Sequence, residues 1–141
     1  MIMTIKRDAA DKAFSECIRE RSNWQCEGCG RQFSEDSRGS LQCAHIFGRR
    51  NKSIRQDPLN AFAFCFGCHQ NYTENPLMFD LFVKAELGGA VEILTEKRNT
   101  LVKYNKLFVK ECAAHYRDQF KGMRQQREQG ETGRIEFIGF I

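Results

Sequence analysis

Two cysteine pairs with the same spacing constrain the fold of this chain more than any other feature. Cys26 and Cys29 form one C-x2-C pair, and Cys65 and Cys68 form a second. Each pair can direct two thiolates at one point, and two pairs complete the tetrahedral four-sulfur shell that zinc favours. A redox-active pair or a coincidence of spacing is the alternative. We predict one structural zinc ion, whose binding supplies a large part of the folding free energy.

The cysteine count and the hydropathy of the sequence indicate a reducing compartment. The chain has 141 residues and seven cysteines, an odd number that excludes complete pairing in intrachain disulfides. The first residues, MIMTIKRDAADKAF, lack the apolar core of a signal peptide, and the longest apolar run, at 61–66, is too short to span a membrane. We expect a cytoplasmic protein without a membrane segment, in which Cys17 and Cys112 are core thiols. Cys43 is either a core thiol or a substitute metal ligand.

Apolar periodicity predicts a helix at 8–23 and a strand at 41–47. In the helix, Asp8 is a suitable N-cap and apolar residues recur at helical spacing. These residues are Ala10, Phe14, Cys17 and Ile18. In the strand, alternation places Leu41, Cys43, His45 and Phe47 on one face and Gln42, Ala44 and Ile46 on the other. A short apolar segment at 59–64 then leads into the second cysteine pair.

Helical patterns dominate the rest of the sequence. Asn75 and Pro76 begin a helix that Gly88 ends. Its predicted buried face consists of Met78, Leu81, Phe82 and Ala85. Residues 90–128 are helical again, with a break near Asn99 and Thr100. The apolar positions of this segment are Leu101, Phe108, Cys112, Tyr116 and Phe120. The final segment, RIEFIGFI at 134–141, is apolar and strand-like.

Three residues around the cysteine pairs carry a family resemblance. His45 lies in the predicted strand, Asn60 precedes the second cysteine pair, and His69 follows Cys68 directly. With these residues in this order, residues 5–88 resemble the HNH (ββα-metal) endonucleases, in particular the phage type with two zinc knuckles and the NinG-like recombination proteins. The resemblance implies an α+β fold. Its small ββα-metal core at 1–88 would be held by the four-cysteine site behind an N-terminal helix, and 89–141 would form a basic helical extension.

The resemblance also implies a role for each of the three residues. His45 matches the general base, Asn60 the residue that braces the loop behind it, and His69 a ligand of a catalytic divalent ion, Mg²⁺ or Mn²⁺. Neutral imidazole suits proton abstraction from water, because its ordinary pKa is about 6.5. Many family members carry Asp or His where this chain has Ala44. We therefore expect a weakly held catalytic ion, bound largely through water and substrate phosphate.

Basic residues follow His45 and recur near the C-terminus. Arg49, Arg50, Lys52 and Arg55 have no acidic residue among them, and we predict that they contact DNA phosphates. Between residues 97 and 127, lysines and arginines again outnumber acids. For both segments a solvated surface is the alternative.

The expected function is metal-dependent hydrolysis of DNA phosphodiester bonds, in a phage-type endonuclease. The departure at Ala44 leaves open a zinc-containing DNA-binding module without cleavage activity. A third interpretation is an interaction protein, in which the segment at 134–141 pairs with a strand edge of a second copy or of another protein.

Overall fold

The computed structural model describes residues 5–141 and, for Arg38, the backbone alone. Within this part the fold is mixed α and β, with five helices and one two-stranded sheet. In chain order the elements are α1 (Ala9–Arg21), β1 (Leu41–His45), β2 (Ala61–Cys65), α2 (Phe66–Glu74), α3 (Pro76–Leu87), α4 (Ala90–Arg98) and α5 (Lys106–Glu128). Short 3₁₀ turns precede each strand. None of these helices has the length and apolar content required to cross a membrane.

The first helix begins where the sequence predicts. The Asp8 carboxylate accepts a hydrogen bond from the Asp11 backbone N–H, and the Asp11 carboxylate accepts one from the Asp8 N–H, both at 2.9 Å. This reciprocal capping box satisfies two backbone donors that the helix leaves open. The predicted apolar face is fully buried. The helix ends at Arg21, two residues before the predicted end, because Asn23 and Trp24 adopt positive φ and turn the chain.

The sheet places the strand that ends at His45 beside the strand that leads into the second cysteine pair. β1 and β2 are antiparallel, with Leu41 opposite Cys65 and His45 opposite Ala61. The predicted strand at 41–47 is therefore two residues too long, although the Ile46 N–H still donates to the Asn60 carbonyl at 2.8 Å. β2 leads without a break into α2, so the order is strand, loop, strand, helix. The second cysteine pair and His69 lie at the β2–α2 junction.

Two predictions about the helices that follow α2 were wrong. Met78 and Leu81 of α3 are 57% and 60% exposed, and Ala85 is exposed as well. α3 instead buries Val83 and packs Phe79 and Phe82 against the aromatic rings of β2. The expected apolar position Leu101 is 97% exposed, because it lies in the connection between α4 and α5. The predicted break between these helices is confirmed.

The C-terminal segments complete the same core as the N-terminal helix. α5 packs along α1, where Tyr116 and Phe14 have ring centroids 5.2 Å apart. The segment at 134–141 forms no strand, contrary to expectation. Its backbone donors go to groups of α1 and α5: the Ile135 N–H to the Arg21 carbonyl at 3.1 Å, and the Phe140 N–H to the Tyr116 hydroxyl at 3.0 Å. Ile135 and Phe137 are buried in the core of their own chain.

Candidate functional site

The four cysteines of the two pairs converge on one point. The sulfur atoms of Cys26, Cys29, Cys65 and Cys68 all lie within 4.8 Å of one another. Cys29 Sγ and Cys65 Sγ are 3.9 Å apart. A tetrahedral shell with zinc–sulfur bonds of about 2.3 Å requires sulfur separations of about 3.8 Å. The cluster therefore fits a structural metal such as zinc.

Backbone hydrogen bonds prepare this cluster for a cation. Cys65 is the N-cap of α2, and its sulfur accepts a hydrogen bond from the Cys68 N–H at 3.4 Å. The Cys65 N–H in turn donates to Cys26 Sγ at 3.2 Å. Burial raises the pKa of the Cys26 thiol, but these and similar backbone bonds outweigh it and lower the pKa to about 7. A Cβ atom at Gly28 would come within 2.9 Å of Cys68 Sγ, so the knuckle requires glycine there.

The other three cysteines lie outside the cluster. Burial raises the pKa of Cys17 to about 12, of Cys43 to about 11 and of Cys112 to about 12. Such thiols stay protonated and behave as small apolar side chains. Cys17 and Cys112 are therefore core thiols, as predicted, and the substitute-ligand alternative for Cys43 is not needed.

His45 lies at the end of β1 with one ring nitrogen bonded to the loop that follows. Its Nε2 is 3.0 Å from the Arg55 carbonyl oxygen. A carbonyl can only accept, so Nε2 carries the hydrogen and Nδ1 keeps its lone pair. Burial and the charge of Arg49 lower the pKa of His45 to about 4. The ring is therefore neutral at cellular pH, which is the state that a general base needs.

Asn60 holds the two ends of the same loop. It is 0% exposed, and its amide bonds both backbone groups of Phe47: Oδ1 accepts from the N–H and Nδ2 donates to the carbonyl, each at 2.9 Å. Nδ2 also donates to the Ile54 carbonyl at 3.0 Å. Since the loop carries the carbonyl that orients His45, Asn60 fixes the geometry of that histidine indirectly.

His69 lies in the first turn of α2 and is oriented by a residue that sequence reasoning missed. Its Nδ1 is 2.7 Å from Oε1 of Gln42. Because that amide oxygen accepts the Nδ1 hydrogen, Nε2 keeps its lone pair and can bind a metal ion. Burial lowers the pKa of His69, which favours the neutral ligand form. Strand alternation places Gln42 and Ala44 on one face of β1, but that pattern alone gave no reason to connect Gln42 with His69.

The two histidines line one pocket. Its volume is about 230 Å³, and Ala44 lies in its wall together with His45 and His69. The Ala44 methyl group offers no ligand atom. Asn60 does not line this pocket. The arrangement provides one imidazole suited to accept a proton and a second suited to bind a metal ion.

Comparisons with protein-family models, with curated proteins and with solved structures find no match for this chain. The four-cysteine cluster uses every ligand position of a tetrahedral ion and is suited to a structural role. The histidine pocket leaves positions for water and substrate, so it is the candidate for chemistry.

The basic loop after His45 divides into exposed and buried residues. Arg50 and Lys52 are exposed and Arg49 is partly buried. Arg55 is 5% exposed and is held by Asp11: its Nε donates to Oδ1 at 3.1 Å and its Nη2 to Oδ2 at 2.6 Å. The expected DNA contact of Arg55 is therefore corrected to an internal ion pair. Burial raises the pKa of Asp11, but the Arg55 hydrogen bonds and charge contribute to a net pKa below its usual range.

Several basic side chains of residues 97–127 form ion pairs within the protein. Arg127 Nε lies 3.3 Å from the buried carboxylate of Glu20, and Arg124 lies 3.5 Å from it. Lys97 pairs with Asp57 at 2.6 Å. Arg117 is exposed on α5. The positive charge predicted for this segment is thus partly structural.

Proposed function

We propose that the chain is an HNH endonuclease that hydrolyses DNA phosphodiester bonds with a divalent metal ion, and that its four cysteines hold a structural zinc ion. The observation that carries this proposal is the histidine pocket. His45 and His69 arrive there from the end of β1 and the start of α2, across a loop braced by Asn60. A strand, a loop, a strand and a helix in this order are what the family resemblance implies.

His45 is the general base in this mechanism. The Arg55 carbonyl holds Nε2–H, so Nδ1 is the nitrogen that takes the proton from the attacking water. Because Asn60 bonds the loop at Phe47 and Ile54, the carbonyl cannot move away without breaking buried hydrogen bonds. Positioning of this kind keeps the base within reach of its proton.

His69 is the protein ligand of the catalytic ion. Gln42 fixes the ring through Nδ1, so Nε2 is the coordinating atom. A bound Mg²⁺ or Mn²⁺ would neutralise the charge that develops on the phosphate and the leaving oxygen. Ala44 supplies no second ligand, so water and the substrate phosphate would have to provide the remaining ligands. Affinity for the ion in the absence of DNA should therefore be low.

DNA is the partner that this chemistry requires. Arg49, Arg50 and Lys52 follow the histidine by a few residues and provide positive charge for backbone phosphates. The family resemblance further suggests a phage protein that acts in the host cytoplasm, in recombination, junction processing or DNA packaging.

A nicking assay tests the proposal. Purified zinc-loaded protein is incubated with supercoiled plasmid and with nicked, single-stranded and four-way DNA in Mg²⁺ or Mn²⁺. His45→Ala should lower the rate by about 10²–10⁴. His115→Ala is the matched control, since His115 also bonds a backbone carbonyl, that of Ile138, but does not line the pocket. Equal activity of wild type and His45→Ala would overturn the assignment of the base.

A zinc-containing DNA-binding module is the second candidate. Ala44 favours it, because the residue is buried at a position where many HNH endonucleases have a metal ligand. This candidate predicts DNA binding with no cleavage of any DNA form in any common divalent metal. The interaction-protein alternative is less favoured, because Ile135 and Phe137 of the 134–141 segment are buried in the core of their own chain. Sizing the protein with and without that segment tests it directly.

A further inference from the structure

A basic pocket lies beside α1, apart from the histidine pocket. Its volume is about 750 Å³. The basic residues that line it are Arg7, Lys12, Arg19 and Arg117, and the acidic ones are Asp8 and Glu16. None of these six residues lines the histidine pocket. The pocket also joins two distant parts of the sequence, since Arg117 comes from α5.

The acidic side chains in this pocket already have partners. Asp8 caps α1, accepts a hydrogen bond from the Tyr104 hydroxyl at 2.6 Å and lies 3.3 Å from Arg55. Glu16 pairs with Arg19 at 3.1 Å. By contrast, Arg7, Lys12 and Arg117 form no ion pair with a carboxylate within residues 5–141. Among residues 5–141, the charge of these three side chains is therefore not neutralised by a carboxylate.

Two of the cations meet on one neutral oxygen. Arg7 Nη2 and Arg19 Nη2 both donate to Ser15 Oγ, at 3.0 and 3.3 Å. Ser15 uses its own hydrogen for the Lys12 carbonyl at 2.8 Å, so the hydroxyl has no capacity left. Arg19 is 7% exposed, and its Nε has no hydrogen-bond partner. Like charges held together and a buried donor without an acceptor are both relieved by an anion.

Two arginines of this pocket act electrostatically on β1, the strand that ends at His45. Burial raises the pKa of Cys43, in the middle of β1, but the charges of Arg19, Arg49 and Arg7 oppose the rise. Arg7 and Arg19 of the pocket and Arg49 of the loop therefore act on one thiol, two residues before His45. Arg49 also acts on His45 itself. Positive charge from the pocket and from the loop after His45 thus acts on the same strand.

We propose that this pocket binds a phosphate group, held by Arg7 and Arg19 with Lys12 and Arg117 beside them. Guanidinium groups match the oxygens of a phosphate in pairs, which makes arginine suited to this ligand. In the complex with DNA, the group is a backbone phosphate that flanks the bond cleaved at His45. This second part rests on the proposed function, and the binding of phosphate does not.

The test removes the two exposed pocket arginines. Arg7→Gln combined with Arg117→Gln is compared with Lys84→Gln combined with Lys103→Gln, which removes the same charge from exposed side chains outside the pocket. Zinc-loaded proteins are melted in rising inorganic phosphate, against chloride of equal ionic strength. A ligand that binds the native state raises Tm. Wild type and the control variant should gain Tm in phosphate, and the pocket variant should not.

A second measurement identifies the source of the phosphate. Anisotropy of labelled duplex DNA is recorded over a range of salt, without divalent metal. Loss of one phosphate contact should reduce the slope of log K against log salt by about 0.9 in the pocket variant but not in the control. An unchanged slope with a lost Tm response overturns the DNA part and leaves a site for free phosphate. A pocket variant that behaves like the control in both measurements overturns the whole inference.

These outcomes are separable from those of the nicking assay. If wild type cleaves no DNA while the pocket variant loses its phosphate response, the proposed function fails and the phosphate site stands. If wild type cleaves and the pocket variant responds to phosphate like the control, the reverse holds. Melting of both variants in chloride alone shows whether they are folded before any ligand is added.

Discussion

The four-cysteine cluster and the histidine pocket both use residues of α2, but they differ in how many ligand positions they leave open. Cys68 and His69 are adjacent in sequence. In the cluster four sulfur atoms converge, which is the full ligand set of a tetrahedral ion. In the pocket each histidine has one nitrogen bonded to the protein and the other available. A closed ligand set stabilises a fold, whereas an open one can bind water and substrate. A metal ion in the cluster would fix the start of α2, from which His69 reaches the pocket.

Removal of one cysteine ligand should produce the largest effect. Cys65→Ser should lose the metal and unfold the chain, because structural zinc supplies about 10 kcal/mol or more of folding free energy in small domains. Serine is itself a good N-cap, so the start of α2 is not weakened and the effect reports the metal. Elemental analysis and circular dichroism measure the two losses.

Cys112→Ser is the control for that variant, since Cys112 is buried outside the cluster. It should keep the zinc and lose about 1 kcal/mol of stability. A folded Cys65→Ser protein with full zinc content would show that the cluster is not the metal site.

Breaking the buried ion pair behind His45 should have the next largest effect. Arg55→Ala leaves Asp11 as a buried charge without its main partner, which typically costs about 3–5 kcal/mol. Arg50→Ala, an exposed neighbour in the same loop, should change stability by less than about 0.5 kcal/mol. Urea unfolding of both variants measures the difference. A stable Arg55→Ala protein with weakened DNA binding would restore the original prediction of a phosphate contact.

The sequence predicted those parts of the fold that are determined locally. The start of α1 follows from Asp8 and Asp11, which are three residues apart and cap each other. The buried face of α3 was not predictable, because apolar residues surround this helix and its packing against Phe62 and Phe64 of β2 decides which of them is buried. Apolar periodicity did not indicate α2, because this helix has no buried residue, and only the resemblance to a ββα core implied a helix after the second strand.

Asn60→Ala should have an intermediate effect on stability and a larger one on cleavage. It leaves buried backbone groups of Phe47 and Ile54 without partners, at about 1–3 kcal/mol for an unsatisfied group. Zinc content should not change, whereas the loop that orients His45 loses its brace. Asn51→Ala is the control, because Asn51 bonds the Gly48 carbonyl in the same loop but at the surface. Equal cleavage by both variants would contradict the bracing role.

Gln42→Ala should lower the affinity of the proposed site for the catalytic ion without changing the stability of the fold. Partners that orient a metal ligand typically contribute 10- to 100-fold in affinity. The Mn²⁺ concentration for half-maximal cleavage should rise by about that factor, and excess Mn²⁺ should restore the rate. Gln42→Glu should do the opposite, since a carboxylate makes His69 a stronger ligand. Gln70→Ala, on the exposed side of α2, is the control. If Gln42→Ala and Gln70→Ala give the same metal dependence, His69 is not the ligand.

The candidate site was predictable in its order but not in its supporting contacts. His45, Asn60 and His69 stand in the family order, and the structure brings the two histidines into one pocket. Neither the contact of Gln42 with His69 nor that of Asp11 with Arg55 gave a signal, because each joins residues far apart in the sequence. The pairing of Arg55 with Asp11 spans 44 residues, so the loop looked uniformly basic when only its own composition was considered. Long-range polar contacts of this kind require the three-dimensional structure.

The smallest expected effect is that of pH on cleavage near neutrality, and it concerns His45 directly. A base with its ordinary imidazole pKa would produce an inflection near about 6.5. Burial and Arg49 lower the pKa to about 4, so the base is already neutral above about pH 5. Single-turnover rates should therefore show no loss of base as pH falls from 8 to 6.

Arg49→Gln sharpens this prediction. Removing its charge takes away one cause of the lowered pKa, so the acid limb of the rate profile should move to higher pH, while Arg50→Gln leaves it in place. The unfolded chain has the ordinary pKa and binds a proton between about pH 6.5 and 4, where folded His45 does not. The contribution of His45 to stability should therefore decline as pH falls through that window, and His45→Gln should remove this part of the decline in urea unfolding. A wild-type rate profile with its midpoint near 6.5 would show that the base is a group other than the buried His45.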